Sequence, residues 1–426
     1  KWVDLAKQCR EAGMLYLLLT GGEPFLYPGF RELYTCLHEM GFLIYINSNG
    51  TMIEADTVRW LKQHAPVRVN ITLYGASRET YQRICGHADG YDRATNAIEM
   101  LREAGIPLVI NASMIPENAE KMVTICDYVG MKLCGSGKAV IANDMAASWG
   151  CFDLRARKFL VSEMKALGVD TSYLPELLEK HEPMGHTPEG IPVIVSLGDN
   201  QASVLGSVSD LCDTVLINIG TGSQVSMGTE SYHDVSGSIE LRPCVEGTSL
   251  LVGSGLCGGR AYAMLEQFYR EISGSEEAMY DRMAAQAVEF REKFGADAAW
   301  KVKTTFSGTR SNPAEKGSIT GIGVENFHPG AMTLGVIGGI LEELHEMYVQ
   351  MCSTTGRTAT KLVGSGNGIR KNKLMQELAE EIFGMPLAIP QYQEEAAYGA
   401  ALYALSATGK EELSKIQKKI HYCSAE

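Results

Sequence analysis

The first quarter of the sequence alternates short apolar runs with amphipathic segments, and that order strongly restricts the folds open to the chain. Leu15–Thr20 reads "LYLLLT", a continuous apolar run typical of a strand covered on both faces. Across Pro28–Met40 the apolar residues recur at helical spacing, and Gly41 follows as a helix stop. The series continues with predicted strands at Phe42–Asn47, Val69–Tyr74 and Pro107–Ala112. Predicted helices at Glu54–His64 and Tyr91–Ala104 lie between them. Such alternation predicts a parallel sheet with helical crossovers.

Three loops follow the carboxyl ends of these predicted strands, where α/β proteins usually carry their chemistry. They read "TGGEPFLYP" at Thr20–Pro28, "NSNGT" at Asn47–Thr51 and "TLYGAS" at Thr72–Ser77. Adjacent glycines let a backbone approach a ligand closely, and Glu23 could accept hydrogen bonds from an ammonium group. The alternative is a tight turn with an acidic first helical turn, and the tetrapeptide alone does not decide between the two.

The charge balance and the cysteine pattern argue against several classes of protein. With 426 residues and a formal net charge of −13, the chain has no basic run, which argues against nucleic acid or an anionic membrane as a partner. No apolar run approaches the roughly 20 residues of a membrane helix. The eleven cysteines lack C-x-x-C spacing, which predicts reduced thiols of a cytoplasmic protein and no zinc or other metal site. Lys1, not Met, comes first, so we expect further residues before it.

The stretch "VSLGDNQASVLGSV", Val195–Val208, leads from apolar residues to Asp199 and then to small residues. This pattern predicts a carboxylate at the end of a buried strand. A carboxylate in apolar surroundings is costly unless partners or function compensate. Asp199 is therefore either the N-cap of a small-residue helix or a catalytic group, and the spacing alone leaves both interpretations open.

The next stretch, "DTVLINIGTGSQVSMG", predicts a hairpin with a sharp glycine-containing turn. Thr214–Ile219 and Gln224–Met227 are its predicted strands, and Gly220, Thr221 and Gly222 form the turn. A turn of this composition presents backbone N–H groups and one hydroxyl to an anion, as phosphate sites require. A plain glycine hairpin is the alternative.

Further glycine turns follow along the chain. Thr248–Arg270 and Lys361–Pro386 each predict a strand, a glycine-rich turn and a helix, an arrangement that suits a nucleotide phosphate or ribose. Between them, Thr304–Ile322 is a polar loop. Leu334–Cys352 predicts a core helix, and Glu394–Leu405 is rich in small residues, which suits a helix packed closely against another backbone.

Six motifs in this order resemble those of the FGGY carbohydrate kinases, which have two actin-like (ribonuclease-H-like) domains. The resemblance covers about residues 120–426. Within the family it points to the sedoheptulokinases, through "TICDYVGMKLCG", "MAASWGCFDL", "SLGDNQASVLGS" and "FSGTRSNPAEKGSITGI". It implies ATP-dependent phosphorylation of a sugar hydroxyl, of sedoheptulose or a related ketose or polyol, with Mg²⁺ as the metal.

The resemblance also implies roles for particular residues. Asp199 would contact the sugar and act as the general base that takes the proton of the attacking hydroxyl. The nucleotide would be bound by three groups of residues: Gly220, Thr221 and Gly222 at the ATP phosphates, Gly308 beside the nucleotide, and Gly364, Ser365, Gly366 and Asn367 at the adenosine.

The first quarter resembles a different family, the radical S-adenosylmethionine enzymes with their partial TIM barrel, over about residues 1–117. The implied contacts to the methionine moiety are Gly21, Gly22, Glu23 and Pro24, with Asn49 and Ser77 lining the site. The C-x-x-x-C-x-x-C loop that ligates the family's iron–sulfur cluster is absent, since Cys9 and Cys36 lack its spacing. S-adenosylmethionine and the cluster are therefore not expected cofactors here.

Together these observations predict an α/β chain in which an actin-like kinase domain follows a partial parallel (βα) barrel. The predicted segments are 1–117 for the barrel, 118–205 for a remnant of the kinase N-terminal domain and 206–426 for the C-terminal nucleotide-binding domain. No Asp is followed by x-Gly-Thr or x-Gly-Ser, so the phosphate-gripping turn of the kinase's first domain is missing. We interpret the chain as two truncated families joined together.

The expected partners of such a chain are small molecules, a sugar and ATP. Half-domains with open sheet edges also favour a homo-oligomer. Two other functions stay open: a fragment of a radical S-adenosylmethionine enzyme, and a nucleotide-binding protein without catalytic activity.

Overall fold

The computed structural model describes residues 2–112, 121–310 and 312–423. The chain divides into two compact units, Lys1–Met122 and Val123–Glu426, here called unit 1 and unit 2. Within the described residues, no helix combines the length and the apolar composition that crossing a membrane requires.

Unit 1 alternates strands and helices. Its elements in chain order are α1 (Trp2–Glu11), β1 (Tyr16–Leu19), α2 (Phe30–Glu39), β2 (Leu43–Ser48), α3 (Ala55–Gln63), β3 (Arg68–Leu73), α4 (Arg78–Cys85), α5 (Asp89–Glu103) and β4 (Leu108–Ala112). All four strands are parallel and lie in the order β1-β2-β3-β4, which confirms the predicted sheet with helical crossovers. Helix α4 was not predicted, because its sequence "RETYQRIC" carries only isolated apolar residues.

Helices cover one face of this sheet. Ile46 and Ile71 of neighbouring strands pack in one core with Tyr34 and Leu61 of the helices, and all four side chains are fully buried. Because β1 and β2 are adjacent and parallel, the loops that follow them start side by side at the same edge of the sheet.

Unit 2 consists of short elements followed by one large mixed sheet with its helices. Residues 123–207 contain α6 (Ile125–Cys134), β5 (Val140–Ala142), α7 (Asn143–Ala147), β6 (Phe152–Asp153), β7 (Lys158–Phe159), α8 (Val161–Ala166), β8 (Glu176–Leu178), β9 (Pro183–His186), β10 (Pro192–Ile194) and α9 (Asp199–Ser207). Residues 208–423 contain β11 (Thr214–Ile219), β12 (Ser223–Thr229), β13 (Ile239–Pro243), β14 (Ser249–Gly255), α10 (Gly258–Ser273), α11 (Tyr280–Phe294), β15 (Lys301–Lys303), β16 (Ser318–Thr320), α12 (Pro329–Thr355), β17 (Lys361–Ser365), α13 (Asn367–Arg370), α14 (Lys373–Phe383), β18 (Leu387–Ala388), α15 (Glu395–Ala407) and α16 (Leu413–Gln417).

The large sheet has the strand order β13-β14-β12-β11-β17-β18. The neighbours from β13 to β11 are antiparallel, whereas β17 pairs with β11 in parallel. In that parallel pair Ile217 lies opposite Gly364 and Asn218 opposite Ser365. The glycine turns that follow β11 and β17 therefore begin next to each other, at the same edge of the sheet.

Helices cover both faces of the large sheet. On one face, α10, α11, α12 and α14 enclose the largest apolar core of unit 2. On the other face, α9 and α15 pack so closely that a Cβ on Gly399 would lie 1.9 Å from the carbonyl oxygen of Ala202. The close helix packing predicted for Glu394–Leu405 is thus confirmed.

One predicted helix begins later than expected. The helix expected at Glu120–Leu133 starts at Ile125, and the first residue of the expected range lies outside the described residues. Thr124 caps it, because its Oγ1 accepts a hydrogen bond from Asp127 N at 3.1 Å.

Candidate functional site

The turn between β11 and β12 is fixed by backbone contacts to the start of α10. Within the turn, Gly220 N donates a hydrogen bond to Gly222 O at 3.0 Å. Gly259 N and Arg260 N donate to the carbonyl oxygens of Gly220 and Thr221, each at 2.9 Å. A Cβ on Gly259 would lie 2.2 Å from Gly220 O, so a larger residue would force the turn away from α10. Thr221 at the tip is exposed, which leaves its hydroxyl accessible to an anion.

The turn after β17 is joined directly to the end of β11. Asn218 Nδ2 donates a hydrogen bond to Ser365 Oγ at 2.8 Å. Gly366 has a φ of +84°, and a Cβ there would lie 2.7 Å from the last carbonyl oxygen of β11, so only glycine fits. Gly364 and Ser365 are buried, whereas Asn367 is exposed. The structure therefore brings two of the predicted nucleotide-binding turns together, with Thr221 and Asn367 as their exposed side chains.

Gly308 lies in a tight loop between β15 and β16. Its φ is +77°, and a Cβ there would lie 2.5 Å from Pro313 O. Its backbone N–H donates to Thr305 O at 3.0 Å. Gly308 is buried, and the conformation of its own loop is enough to require glycine at this position.

A network of charged side chains connects this loop with the start of α9. Arg310 Nη1 donates to Glu240 Oε1 at 3.1 Å, and the same oxygen accepts a hydrogen bond from Arg242 Nη2. Arg242 Nη1 in turn donates to Asn200 Oδ1 at 3.2 Å. Because Asn200 directly follows Asp199, the network links the predicted base to the Gly308 loop. Arg310 lies in the motif "FSGTRSNPAEKGSITGI", whereas no motif pointed to Glu240 or Arg242, which lie on a separate strand.

Asp199 is the first residue of α9, and it is exposed. Gly198 is the N-cap, so the N-cap interpretation of Asp199 is wrong. The buried strand expected directly before Asp199 is also wrong, because β10 ends at Ile194 and residues 195–198, here called the approach segment, belong to no strand. Among the described residues, the only hydrogen bond to the Asp199 carboxylate comes from Asn200 N at 2.7 Å. Most of its acceptor capacity is open to a ligand.

Two buried carboxylates hold the approach segment in place of a strand partner. Ser196 N donates to Asp127 Oδ1 at 2.8 Å, and Gly198 N donates to Asp144 Oδ2 at 2.7 Å. The sequence reasoning missed both aspartates. A signal was present, because Asp127 is an acidic residue inside the largely apolar motif "TICDYVGMKLCG" and Asp144 directly precedes the motif "MAASWGCFDL", where a charge needs a partner.

A cavity of ≈ 460 Å³ adjoins the Gly308 loop. Its charged lining consists of four carboxylates and two cations, those of Glu240, Glu315, Glu343, Glu346, Lys303 and Arg310. Burial raises the pKa of Glu343 above its ordinary value, although Thr304 Oγ1 donates a hydrogen bond to its Oε2 at 3.2 Å. Nowhere in the described residues are three or more His, Cys, Asp or Glu side chains grouped to hold a metal ion.

In unit 1, the predicted ligand-binding Glu23 is buried and well supplied with hydrogen bonds. Its Oε1 accepts from Ser48 Oγ at 2.8 Å and from Phe25 N at 3.2 Å, and its Oε2 accepts from Asn49 N at 2.7 Å. The carboxylate therefore ties the "GGEP" loop to the loop that follows β2.

The other residues predicted for this site differ in exposure and in partners. Gly21 and Gly22 are exposed, and a Cβ on either would meet nothing within 4 Å, whereas Pro24 is buried. Asn49 Oδ1 accepts the backbone N–H two residues later at 2.9 Å. Ser77 Oγ caps α4 by accepting the N–H three residues later at 3.2 Å. Both polar side chains thus have structural roles in their own loops.

Two family models match separate parts of the chain. Residues 1–129 match the Radical SAM superfamily, and residues 215–408 match the C-terminal domain of the FGGY family of carbohydrate kinases. Both resemblances seen in the sequence are thereby confirmed. The second match begins in β11 and ends just after α15, so it covers the large sheet and both glycine turns.

Individual relatives repeat this division. Human sedoheptulokinase is 30% identical over 302 residues, which cover 66% of this chain and 61% of that protein. The AdoMet-dependent heme synthase of Methanosarcina barkeri is 29% identical over 110 residues, which cover 26% of this chain and 32% of that protein. The chain spans about three fifths of the length of the sedoheptulokinases it matches.

Solved structures of sugar kinases share the fold. The xylulose kinase from Rhodospirillum rubrum has a TM-score of 0.63 at 16% identity and covers 92% of this chain and 82% of its own. The gluconate kinase from Lactobacillus acidophilus has a TM-score of 0.62 at 17% identity and covers 94% and 84%. The predicted fold, an actin-like α/β architecture preceded by a parallel βα segment, is confirmed.

Proposed function

We propose that the chain, through unit 2, transfers the terminal phosphoryl group of ATP to a sugar hydroxyl. The observation that carries this proposal is the exposed carboxylate of Asp199, which has most of its acceptor capacity open at the first turn of a helix. The family match over the large sheet, with its two adjacent glycine turns, supports ATP as the phosphoryl donor.

The glycine turns suit the two ends of the nucleotide. We assign the ATP phosphates to the turn at 220–222, where the exposed Thr221 offers a hydroxyl. We assign the adenosine to the turn at 364–367, where Asn367 is the exposed side chain and Gly366 keeps the backbone close to β11. The Gly308 loop would lie beside the nucleotide. Both main turns are held by contacts within unit 2, so the site is organised before ATP binds.

The chemical step needs a base and accurate positioning, with little covalent chemistry from the protein. The proton of the sugar hydroxyl passes to the Asp199 carboxylate, the hydroxyl oxygen bonds to the γ-phosphorus, and the bond to ADP breaks. Mg²⁺ would neutralise charge on the phosphates. Because Mg²⁺ takes most of its ligands from water and phosphate oxygens, it needs no cluster of three carboxylates.

The relatives support a proposal for the acceptor. We infer sedoheptulose or a related ketose, since the two named sedoheptulokinases match over 302 residues. We also propose a cytoplasmic location, from the reduced-thiol composition, and association with a second copy, from the open sheet edges of the half-domains.

For unit 1 we propose no radical chemistry. The cysteines of unit 1, Cys9, Cys36 and Cys85, do not have the C-x-x-x-C-x-x-C spacing that holds the family's iron–sulfur cluster. Glu23, the residue expected at the cofactor's amino group, already accepts three hydrogen bonds from its own unit. These residues do not fit the cluster. Treatment of the protein with iron and sulfide should give a colourless product, and an oxygen-sensitive brown chromophore would contradict the proposal.

Release of ADP tests the kinase proposal. With sedoheptulose and Mg-ATP, we expect Asp199→Asn to lower kcat by at least about 100-fold, because a general base contributes roughly that much or more. Asp281→Asn is the matched control, since Asp281 is also an exposed aspartate in the first turn of a helix, and it should keep the parental rate. Equal rates in Asp199→Asn and the parent would remove the proposed base.

A second candidate is a nucleotide-binding protein without catalytic activity. It is favoured by one observation: both nucleotide turns are complete within unit 2, whereas the chain has no D-x-G-T turn of the kinase's first domain. Calorimetry with Mg-ATP separates the candidates. Binding of nucleotide with no release of ADP for any ketose tested would favour this second function.

A further inference from the structure

The approach segment leads directly into Asp199, and it is held by hydrogen bonds to parts of unit 2 that are distant in the sequence. Val195 N donates to Glu182 O at 3.1 Å, and Ser196 N donates to a carboxylate oxygen of Asp127. Gly198, the residue directly before Asp199, donates its N–H to Asp144 Oδ2 at 2.7 Å. A strand partner would fix such a segment with backbone carbonyls. Here a single buried side chain fixes the last amide before the proposed base.

The other carboxylate oxygen of Asp144 lies beside a buried histidine. His181 Nε2 lies 3.0 Å from Asp144 Oδ1, within ion-pair distance but without hydrogen-bond geometry, and the two side chains are 4% and 0% exposed. The ring of His181 packs edge-on against Tyr403 of α15, with the ring centroids 4.8 Å apart. Because α15 is in backbone contact with α9, His181 packs against the same helix pair that carries Asp199. A carboxylate this deeply buried is costly unless its partners are well placed.

The first turn of α9 is fixed independently. Gln201, which is buried, donates from Nε2 to Pro243 O at 2.8 Å. Asn200 accepts a hydrogen bond from Arg242. The side chains of Asn200 and Gln201 therefore hold the helix just after Asp199. Asp144 holds the backbone at Gly198, just before it. The carboxylate of Asp199 has no direct brace of this kind among the described residues.

We propose that Asp144 is a positioning residue: its hydrogen bond to Gly198 N sets the place of Asp199 relative to the sugar hydroxyl. This inference rests on the proposed kinase function. Asp144 does not act on substrate itself; it acts through the backbone of Gly198, whose N–H it accepts.

The proposal predicts a selective loss in the chemical step. Removal of the Asp144 carboxylate lets the approach segment shift, and a misplacement of about 1 Å at a reacting group can lower a rate by about 100-fold. We therefore expect Asp144→Ala to lower kcat by about 100-fold. The KM for ATP should not change, since the turns at 220–222 and 364–367 are held by other contacts.

Asp144→Asn supplies the conservative comparison. An asparagine keeps an oxygen that can accept from Gly198 N, so this variant should recover a large part of the kcat lost in Asp144→Ala. A role limited to stability would instead change the unfolding midpoint of both variants and leave kcat intact at temperatures where they are folded. Circular dichroism identifies any variant that does not fold, and Asp144→Asn then carries the test.

Glu266 offers a matched control for a buried carboxylate. It is 4% exposed, and its Oε1 accepts a backbone hydrogen bond from Met279 N at 3.0 Å, far along the chain from the approach segment. Glu266→Gln and Glu266→Ala should reduce stability without changing kcat. If they lower kcat as much as the Asp144 variants do, the loss reflects general damage to unit 2 and the proposal is wrong.

Hydrogen exchange of the full chain provides a readout that does not need activity. Amides of residues 195–200 should exchange faster in Asp144→Ala than in the parent, and those of the turn at 220–222 should not. If the parent releases no ADP, the kinase function fails, and exchange alone then decides whether Asp144 fixes the approach segment. Unchanged exchange at 195–200, or an unchanged kcat in an active parent, would overturn the positioning role.

Discussion

Two carboxylates, Glu23 in unit 1 and Asp199 in unit 2, were both picked out by family motifs, but the structure places them in opposite settings. Glu23 is 9% exposed and accepts three hydrogen bonds, from Phe25 N, Ser48 Oγ and Asn49 N. Asp199 is exposed and, within the described part of the chain, accepts one, from the amide directly after it. A motif match therefore does not distinguish a carboxylate that the fold uses from one that the fold leaves open for chemistry.

The largest effect on the free energy of unfolding is expected at Glu23, because its carboxylate holds two loops of unit 1 together. Glu23→Ala removes one acceptor group from three donors in a buried loop, so we expect it to lower the free energy of unfolding of unit 1 by about 3 kcal/mol. Denaturation followed by hydrogen exchange of unit 1 peptides measures the loss. Glu54→Ala is the control, because Glu54 is exposed and its side chain forms no cap hydrogen bond; equal losses in the two variants would contradict the structural role of Glu23.

The elements of the fold were largely predictable because their signals are local. The first hairpin strand, Thr214–Ile219, is buried along nearly its whole length, as its continuous apolar run predicted. The run at Leu15–Thr20 also predicted a strand that the structure contains, but the expected cover on both faces is wrong, because Tyr16 and Leu18 are 61% and 50% exposed. Helix α4 was missed because its sequence is mostly polar and its start depends on a single capping serine. Local patterns thus identify elements that bury a face and miss those fixed mainly by caps.

The site was predictable only in part, for a related reason. Glycines such as Gly366 are required by a positive φ and by contact with β11, so they leave a clear mark in the sequence. The setting of Asp199 depends on Asp144, which precedes Gly198 by 54 residues, and on Arg242, which follows Asn200 by 42. Contacts over such distances have no periodic signal, and the approach segment was therefore mistaken for a strand.

A smaller loss should follow when a single partner of Glu23 is removed. Ser48 donates to Glu23 Oε1 at 2.8 Å and accepts from Gly50 N at 2.9 Å, all within buried surroundings. Ser48→Ala leaves both groups one partner short, which we expect to lower the unfolding free energy of unit 1 by about 1.5 kcal/mol. The double variant with Glu23→Ala should lose less than the sum of the two single losses. Additive losses would show that the two side chains act separately.

A third carboxylate, that of Glu343, is less buried than that of Glu23 and less exposed than that of Asp199. Its ionisation should make the stability of unit 2 depend on pH. Burial is the main cause that raises the pKa of Glu343, and the negative charges of Glu346 and Glu315 raise it further. The hydrogen bond from Thr304 and the positive charge of Lys303 lower it, but by less. The folded state therefore binds this proton more tightly than the unfolded state, so its contribution to stability is full below the ordinary pKa of 4.5 and is lost as pH rises through the folded value. In Glu343→Gln, the free energy of unfolding should fall less between about pH 5 and about pH 7 than in the parent. Urea unfolding at the two pH values measures this difference. An unchanged slope would contradict the assignment.

The smallest effect on the free energy of unfolding is expected at Asp199. This result tests the difference between Asp199 and Glu23 most directly. Asp199→Asn removes a charge at the N-terminus of α9, where a helix dipole favours an anion by about 0.5 kcal/mol at an exposed position. We expect the unfolding free energy of unit 2 to change by no more than about that amount, measured by the same hydrogen exchange on unit 2 peptides. A loss as large as that of Glu23→Ala would mean that the fold uses this carboxylate as well. It would then have no spare capacity for a sugar proton, because a group already engaged in holding the backbone cannot accept that proton without weakening the fold.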